Sequence, residues 1–181
     1  MGAVERGECQ RWALDTKTTC FGVSFDGKAA FPSVDRTIQV RELYSSGESG
    51  DLLEYSKNIN ENTTTHMEMS NKLSREIREE KGSRQGHKRA GGPFKAYINP
   101  CLTTTNDSSL GFNIGPICVT AVCIADDTYV MSDDPRKLQA AIDIVGHYSK
   151  RYRLVFGADK TKVTVSNRPR GKASLGKVGK S

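Results

Sequence analysis

Apolar positions along the chain follow two spacings, and each switch between them marks an element. Residues 20–25, Cys-Phe-Gly-Val-Ser-Phe, alternate as a strand does and end at Asp26. The run 117–124 and the run Tyr129-Val130-Met131 flank Ala125-Asp126-Asp127, the pattern of a buried hairpin with acids at its tip. Asp134-Pro135 is a helix start, after which Leu138, Ala141, Ile142, Val145 and Ser149 keep helical spacing. The intervening stretches predict a short helix at 8–15, a helix over 34–44 capped by Ser33, and a turn at 46–50. Asp51 is then read as the cap of a helix whose face carries Leu52, Tyr55, Ser56 and Ile59. Residues 63–69 and 73–80 predict a hairpin around Asn71, followed by a basic glycine-rich loop at 82–92 and a helix at 93–102. A polar loop is expected at 103–109, strands at 110–114, 152–156 and 162–166, and a turn at 157–160. No internal repeat interrupts this order.

Reduced to its core, the series is βαββαβ, which predicts an α+β, ferredoxin-like antiparallel sheet with helices on one face. In that arrangement the first strand and the hairpin are neighbours, roughly 4.8 Å apart. Asp26 and Asp126 are 126 − 26 = 100 positions apart in sequence, yet such neighbours could hold two metal ions about 3.5–4 Å apart. Carboxylates at a buried hairpin tip repel one another and lose hydration unless cations or hydrogen bonds compensate. Asp26, Asp126 and Asp127 therefore suggest a magnesium site for phosphoryl transfer. The competing structural reading is that these aspartates cap turns.

Composition narrows the partners. With 181 residues the chain suits one domain, and 36% hydrophobic residues is low for a self-sufficient globule. Mean hydropathy is −0.54. The net charge of +6 is concentrated. Lys72, Arg75, Arg78, Lys81, Arg84, Lys88, Arg89 and Lys95 face three glutamates, and the tail 167–181 has five cations and no acid. Such tracts suit a polyanion, although interleaved Glu76, Glu79 and Glu80 also fit a solvated face. Five cysteines without a Cys-x-x-Cys pair or a secretory signal predict reduced thiols in an intracellular protein of the cytoplasm or nucleus. No apolar run has the length of a membrane span. Asn62 and Asn106 match glycosylation patterns and are read as chance matches.

Four segments, in order, resemble the palm of a reverse transcriptase, most closely those of non-LTR retrotransposons. They are Phe25-Asp26-Gly27-Lys28-Ala29-Ala30-Phe31; Gly82-Ser83-Arg84-Gln85-Gly86 leading to Phe94 and Tyr97-Ile98-Asn99; Ala125-Asp126-Asp127; and Gly157-Ala158-Asp159-Lys160-Thr161-Lys162. The resemblance implies an RNA-directed DNA polymerase that adds deoxynucleotides to a primer 3′-hydroxyl on an RNA template. Asp26, Asp126 and Asp127 would bind two Mg2+ ions (Mn2+ being an alternative), and Lys160 would be the general acid for pyrophosphate. Phe31 would exclude the ribose 2′-hydroxyl, while Gly82, Arg84, Gln85 and Gly86 would line the floor under template base and incoming sugar. Taken singly, Phe31 fits a core position, the 82–86 segment a surface loop, and Lys160 a solvated charge.

The sequence departs from the family pattern in places. Pro32 stands where a second acid is usual, and Ala90-Gly91 replaces Ser-Pro. The resemblance divides the chain into an N-terminal extension at 1–19, a partial palm at 20–166 and a disordered basic tail at 167–181. With 25 residues before Asp26, the fingers and thumb are expected to be largely missing and the isolated chain weakly active or inactive. The alternative reading is a non-catalytic nucleic-acid-binding remnant. An RNA-templated RNA polymerase or a nucleotide cyclase is a third, against which Ala125 and Phe31 argue.

Overall fold

The computed structural model describes residues 11, 15, 17–26, 30–61, 63–83, 91–124, 127–157 and 159–167. All of the predicted tail but Asn167 lies outside these residues, as does most of the predicted helix at 8–15.

Alternating side chains make β1 (Cys20–Asp26) the centre of the sheet. It pairs antiparallel with β10 (Lys162–Ser166) on one edge and β9 (Asp127–Ser132) on the other, and β8 (Ala121–Ile124) pairs with β9. The order β10-β1-β9-β8 is the one expected of a ferredoxin-like sheet. Because strand side chains alternate between faces, this sheet separates two apolar clusters. One joins Val23, Ala121 and Val130 to the helices; the other joins Cys20, Val122, Tyr129 and Met131 to Phe112. Gly22 makes the second cluster possible. A Cβ there would lie 2.0 Å from the Tyr129 hydroxyl, which instead reaches Thr164 Oγ1 at 2.8 Å.

The helices are α1 (Ala30–Ser33), α2 (Arg36–Ser45), α3 (Gly50–Asn58), α4 (Gly91–Asp107) and α5 (Pro135–Tyr152). Asp134 caps α5 by accepting from the Arg136 and Lys137 amides, so its carboxyl lies below the ordinary value. Leu138, Ala141, Val145, Tyr148 and Tyr152 form the buried stripe of α5. Three tyrosines join α2, α4 and α5. The Tyr148 hydroxyl donates to Tyr97 O, the Tyr97 hydroxyl to Tyr152 O, and the Tyr152 hydroxyl to Glu42 Oε1 at 2.8 Å. The Tyr148 and Tyr152 rings stack at 3.8 Å.

Between α3 and α4, β2 (Thr64–Thr65) pairs with β5 (Ile77–Arg78), and β3 (Glu68–Met69) with β4 (Lys72–Leu73). The chain reverses through Ser70 and Asn71, both at positive φ, as the hairpin expectation around Asn71 requires. A further hairpin pairs β6 (Phe112–Ile114) with β7 (Ile117–Val119).

Five expectations need correction. Asp35, rather than Ser33, caps the helix after α1, because its carboxylate reaches the Ile38 amide at 3.1 Å. Ser49, rather than Asp51, precedes α3, whose Leu52 and Tyr55 remain exposed while Ser56 is buried. The expected loop at 103–109 is mostly helix. There Thr105 bonds back to Cys101 O at 2.7 Å, and Asn106 receives the Thr120 and Ala121 amides, both at 2.9 Å. Polar side chains that ordinarily compete with helix formation thus have partners that favour it. That bracket also divides the apolar run 117–124 into β7 and β8. Finally, 152–156 is no strand: α5 continues to Tyr152 and closes on Arg153 at a left-handed φ of 57°.

Candidate active site

Three of the four motifs meet where β1 ends, β9 begins and the last turn crosses them. Antiparallel register makes Asp26 and Asp127 direct cross-strand partners. Direct partners lie about 4.5–5.5 Å apart, so two carboxylates from remote segments share one end of the central strand pair. Asp127 is exposed and Asp26 half-buried, so both remain open to solvent.

The turn at 157–160 is fixed to the same point. Gly157 N donates to Asp26 O at 2.9 Å, and Lys160 N and Thr161 N both return to Gly157 O. Phe25 packs on Phe156 with ring centroids 5.2 Å apart, which seats the turn on β1. As a result the Lys160 ammonium sits 3.0 Å from Asp26 Oδ2.

Phe31 lies in α1, just beyond Asp26, and stacks on Phe94 of α4 with centroids 4.4 Å apart. Gly82 is drawn onto the same turn: its amide donates to Val34 O at 2.8 Å, and Ser83 N to Phe31 O at 2.8 Å. Gly82 has φ +100°, and a Cβ there would lie 3.1 Å from Pro32 O, so glycine suits both the conformation and the close approach. The second motif thus begins against the backbone of the first. Asp126, Arg84, Gln85 and Gly86 lie outside the described residues.

Sequence reasoning passed over Arg36. All five of its N–H donors have acceptors: Gly82 O, Glu79 O, Lys81 O, Asn60 O and Thr63 Oγ1. One signal was available. A cation in the first turn of a helix opposes the helix dipole, so Arg36 needed a partner elsewhere.

The donor set fits a hard divalent cation. Asp26 and Asp127 offer carboxylate oxygens, which magnesium prefers, although the Lys160 ammonium rests on one of the Asp26 oxygens and a cation would have to displace or share it. Among the described residues no third His, Cys, Asp or Glu joins them.

The family model described as reverse transcriptase (RNA-dependent DNA polymerase) matches residues 3–175. The chain belongs to the reverse transcriptase family. No curated protein matches it in sequence. Similar solved structures include telomerase from Candida tropicalis in complex with a TWJ fragment of telomeric RNA. That structure has 11% identity and a TM-score of 0.66, covering 90% of this chain and 29% of its own. An apo telomerase from the same organism, truncated from its C-terminal domain, has 13% identity and a TM-score of 0.59, covering 93% and 35%. Telomerase from Candida albicans, also with a TWJ fragment of telomeric RNA, has 15% identity and a TM-score of 0.55, covering 98% and 31%. At these identities the likeness concerns the fold. This reverse transcriptase chain spans about a third of the length of those structures.

Proposed function

We propose that the chain is the palm of an RNA-directed DNA polymerase of retrotransposon type, which transfers deoxynucleotides to a primer 3′-end on an RNA template. The observation that carries this reading is the cross-strand pairing of Asp26 with Asp127 beneath the Lys160 ammonium.

Asp26, Asp126 and Asp127 would hold two magnesium ions, which when bound acidify the primer hydroxyl and offset the charge of the triphosphate and pyrophosphate. The protein's part is to place the groups around them. Lys160 is positioned to give a proton to the departing pyrophosphate, and general acids of this kind contribute roughly 10²- to 10⁴-fold to rate. Phe31, braced by Phe94, excludes a 2′-hydroxyl by occupying its volume. Gly82 lets the second motif approach the sugar closely. The basic tract from Lys72 to Lys95 would follow the nucleic-acid backbone, with an affinity that falls as salt rises.

A primer-extension assay on an RNA template tests this. The expected result is slow, magnesium-dependent deoxynucleotide addition that disappears in Asp126→Asn and in Asp26→Asn. Addition that persists in either variant contradicts the reading. Salt-sensitive RNA binding without any addition, unchanged by Asp26→Ala, would favour a non-catalytic nucleic-acid-binding role.

A further inference from the structure

We propose that Arg36 is a positioning residue that sets the deoxynucleotide preference of the site, acting through Gly82 and Ser83 on Phe31; this rests on the polymerase reading. Arg36 opens α2, five residues after Phe31, and its side chain is 17% exposed. Its guanidinium gathers backbone from three places. Nε donates to Gly82 O at 2.9 Å, Nη1 to Glu79 O at 2.6 Å and to Asn60 O, and Nη2 to Lys81 O at 3.1 Å and to Thr63 Oγ1 at 2.8 Å. Glu79 Oε2 adds a charge contact at 3.7 Å.

These bonds hold together the chain leaving α3, the base of the hairpin, and the first residues of the second motif. The held strand does not stop at Gly82. Ser83, buried, donates its amide to Phe31 O at 2.8 Å, and Gly82 N donates to Val34 O. The Phe31 backbone is therefore braced from one side by the segment that Arg36 fixes. From the other side its ring is braced by Phe94. A steric filter works only while the ring cannot retreat, and small displacements of positioned groups carry large kinetic consequences.

Lysine cannot replace this arrangement. An ammonium has three donors and no planar fork, so at least two of the five acceptors lose their partner. Arg36→Lys should then leave the metal-binding end of the sheet alone and loosen the 82–83 segment against Phe31.

The test compares equilibrium binding of a fluorescent dATP and a fluorescent ATP, in magnesium, to the full chain and to Arg36→Lys. Circular dichroism checks that the variant is folded. The wild-type chain should prefer the deoxynucleotide by roughly 10- to 100-fold, and the variant's preference should shrink about fivefold or more, mainly through tighter ATP binding. An unchanged preference, or an equal loss for both nucleotides, contradicts the proposal and leaves the polymerase reading standing. Wild-type protein that binds neither nucleotide contradicts the polymerase reading, and the proposal falls with it. If Arg36→Lys does not fold, Thr63→Val removes one acceptor at nearly constant volume and is read by the same ratio, with the same outcomes deciding.

Discussion

Lys160 Nζ lies 3.0 Å from Asp26 Oδ2, so a cation from the chain itself rests on a carboxylate that the proposed metal site requires. The ammonium and a divalent ion then compete for the same oxygen. Lys160→Met should tighten Mn2+ binding while slowing nucleotide addition. The lysine is 65% exposed, so solvent screening limits the gain to about two- to fivefold. Isothermal titration of both proteins with Mn2+ measures it, and equal or weaker binding by the variant contradicts the competition.

The tyrosines that join α2, α4 and α5 make a prediction about stability. Tyr152→Phe removes the 2.8 Å bond to Glu42, a carboxylate that is 10% exposed and, among the described residues, keeps only Arg41 as a side-chain partner. Leaving such a group short of a partner costs about 1–3 kcal/mol. Urea unfolding should give a lower midpoint, whereas an unchanged midpoint would mean that the bond contributes nothing.

The same cluster predicts behaviour at high pH. Burial holds the phenols of Tyr97, Tyr148 and Tyr152 above their ordinary value of 10.0, and pushes the Cys101 thiol from 9.0 up to about 12. The folded chain thus keeps protons that the unfolded chain gives up. The stability these groups add is complete below the ordinary thiol value of 9.0 and declines as pH rises, through about 12 for Cys101 and from 10.0 upward for the tyrosines. Thermal midpoints measured from about pH 8 to about pH 11 should fall at the alkaline end. A flat profile contradicts the burial of these groups.

Gly22 and Tyr129 should be coupled. A Cβ at Gly22 meets Tyr129 Oη at 2.0 Å and Cζ at 2.5 Å, so Gly22→Ala should cost about 1–3 kcal/mol. In a Tyr129→Leu background those atoms are gone and the cost should be markedly smaller. A double-mutant cycle by chemical denaturation reads this, and additive effects would contradict the packing.

What could be read from sequence depended on how local its cause was. The strands at 20–26 and 162–166 have the bounds their alternation predicts, and Asp134-Pro135 starts α5 as expected. That β1 and the hairpin strand are neighbours follows from the βαββαβ order, but the residue across from Asp26 does not. The expected partner is Asp126, which lies outside the described residues, whereas the register sets Asp127 opposite Asp26. The helical extent of α4 was hidden, because Asn106 is held by the Thr120 and Ala121 amides fourteen and fifteen residues away, where β7 gives way to β8. Arg36 was hidden more deeply: its acceptors lie 24 to 46 residues along the chain, and most are backbone carbonyls that leave no mark on side-chain identity.

Direct Mn2+ binding, followed by electron paramagnetic resonance, tests the central claim that the carboxylates at the end of β1 and the start of β9 form one cation site. The account predicts saturable binding that weakens by about tenfold in Asp26→Asn and again in Asp127→Asn. Binding that is the same in wild type and in both variants would contradict it.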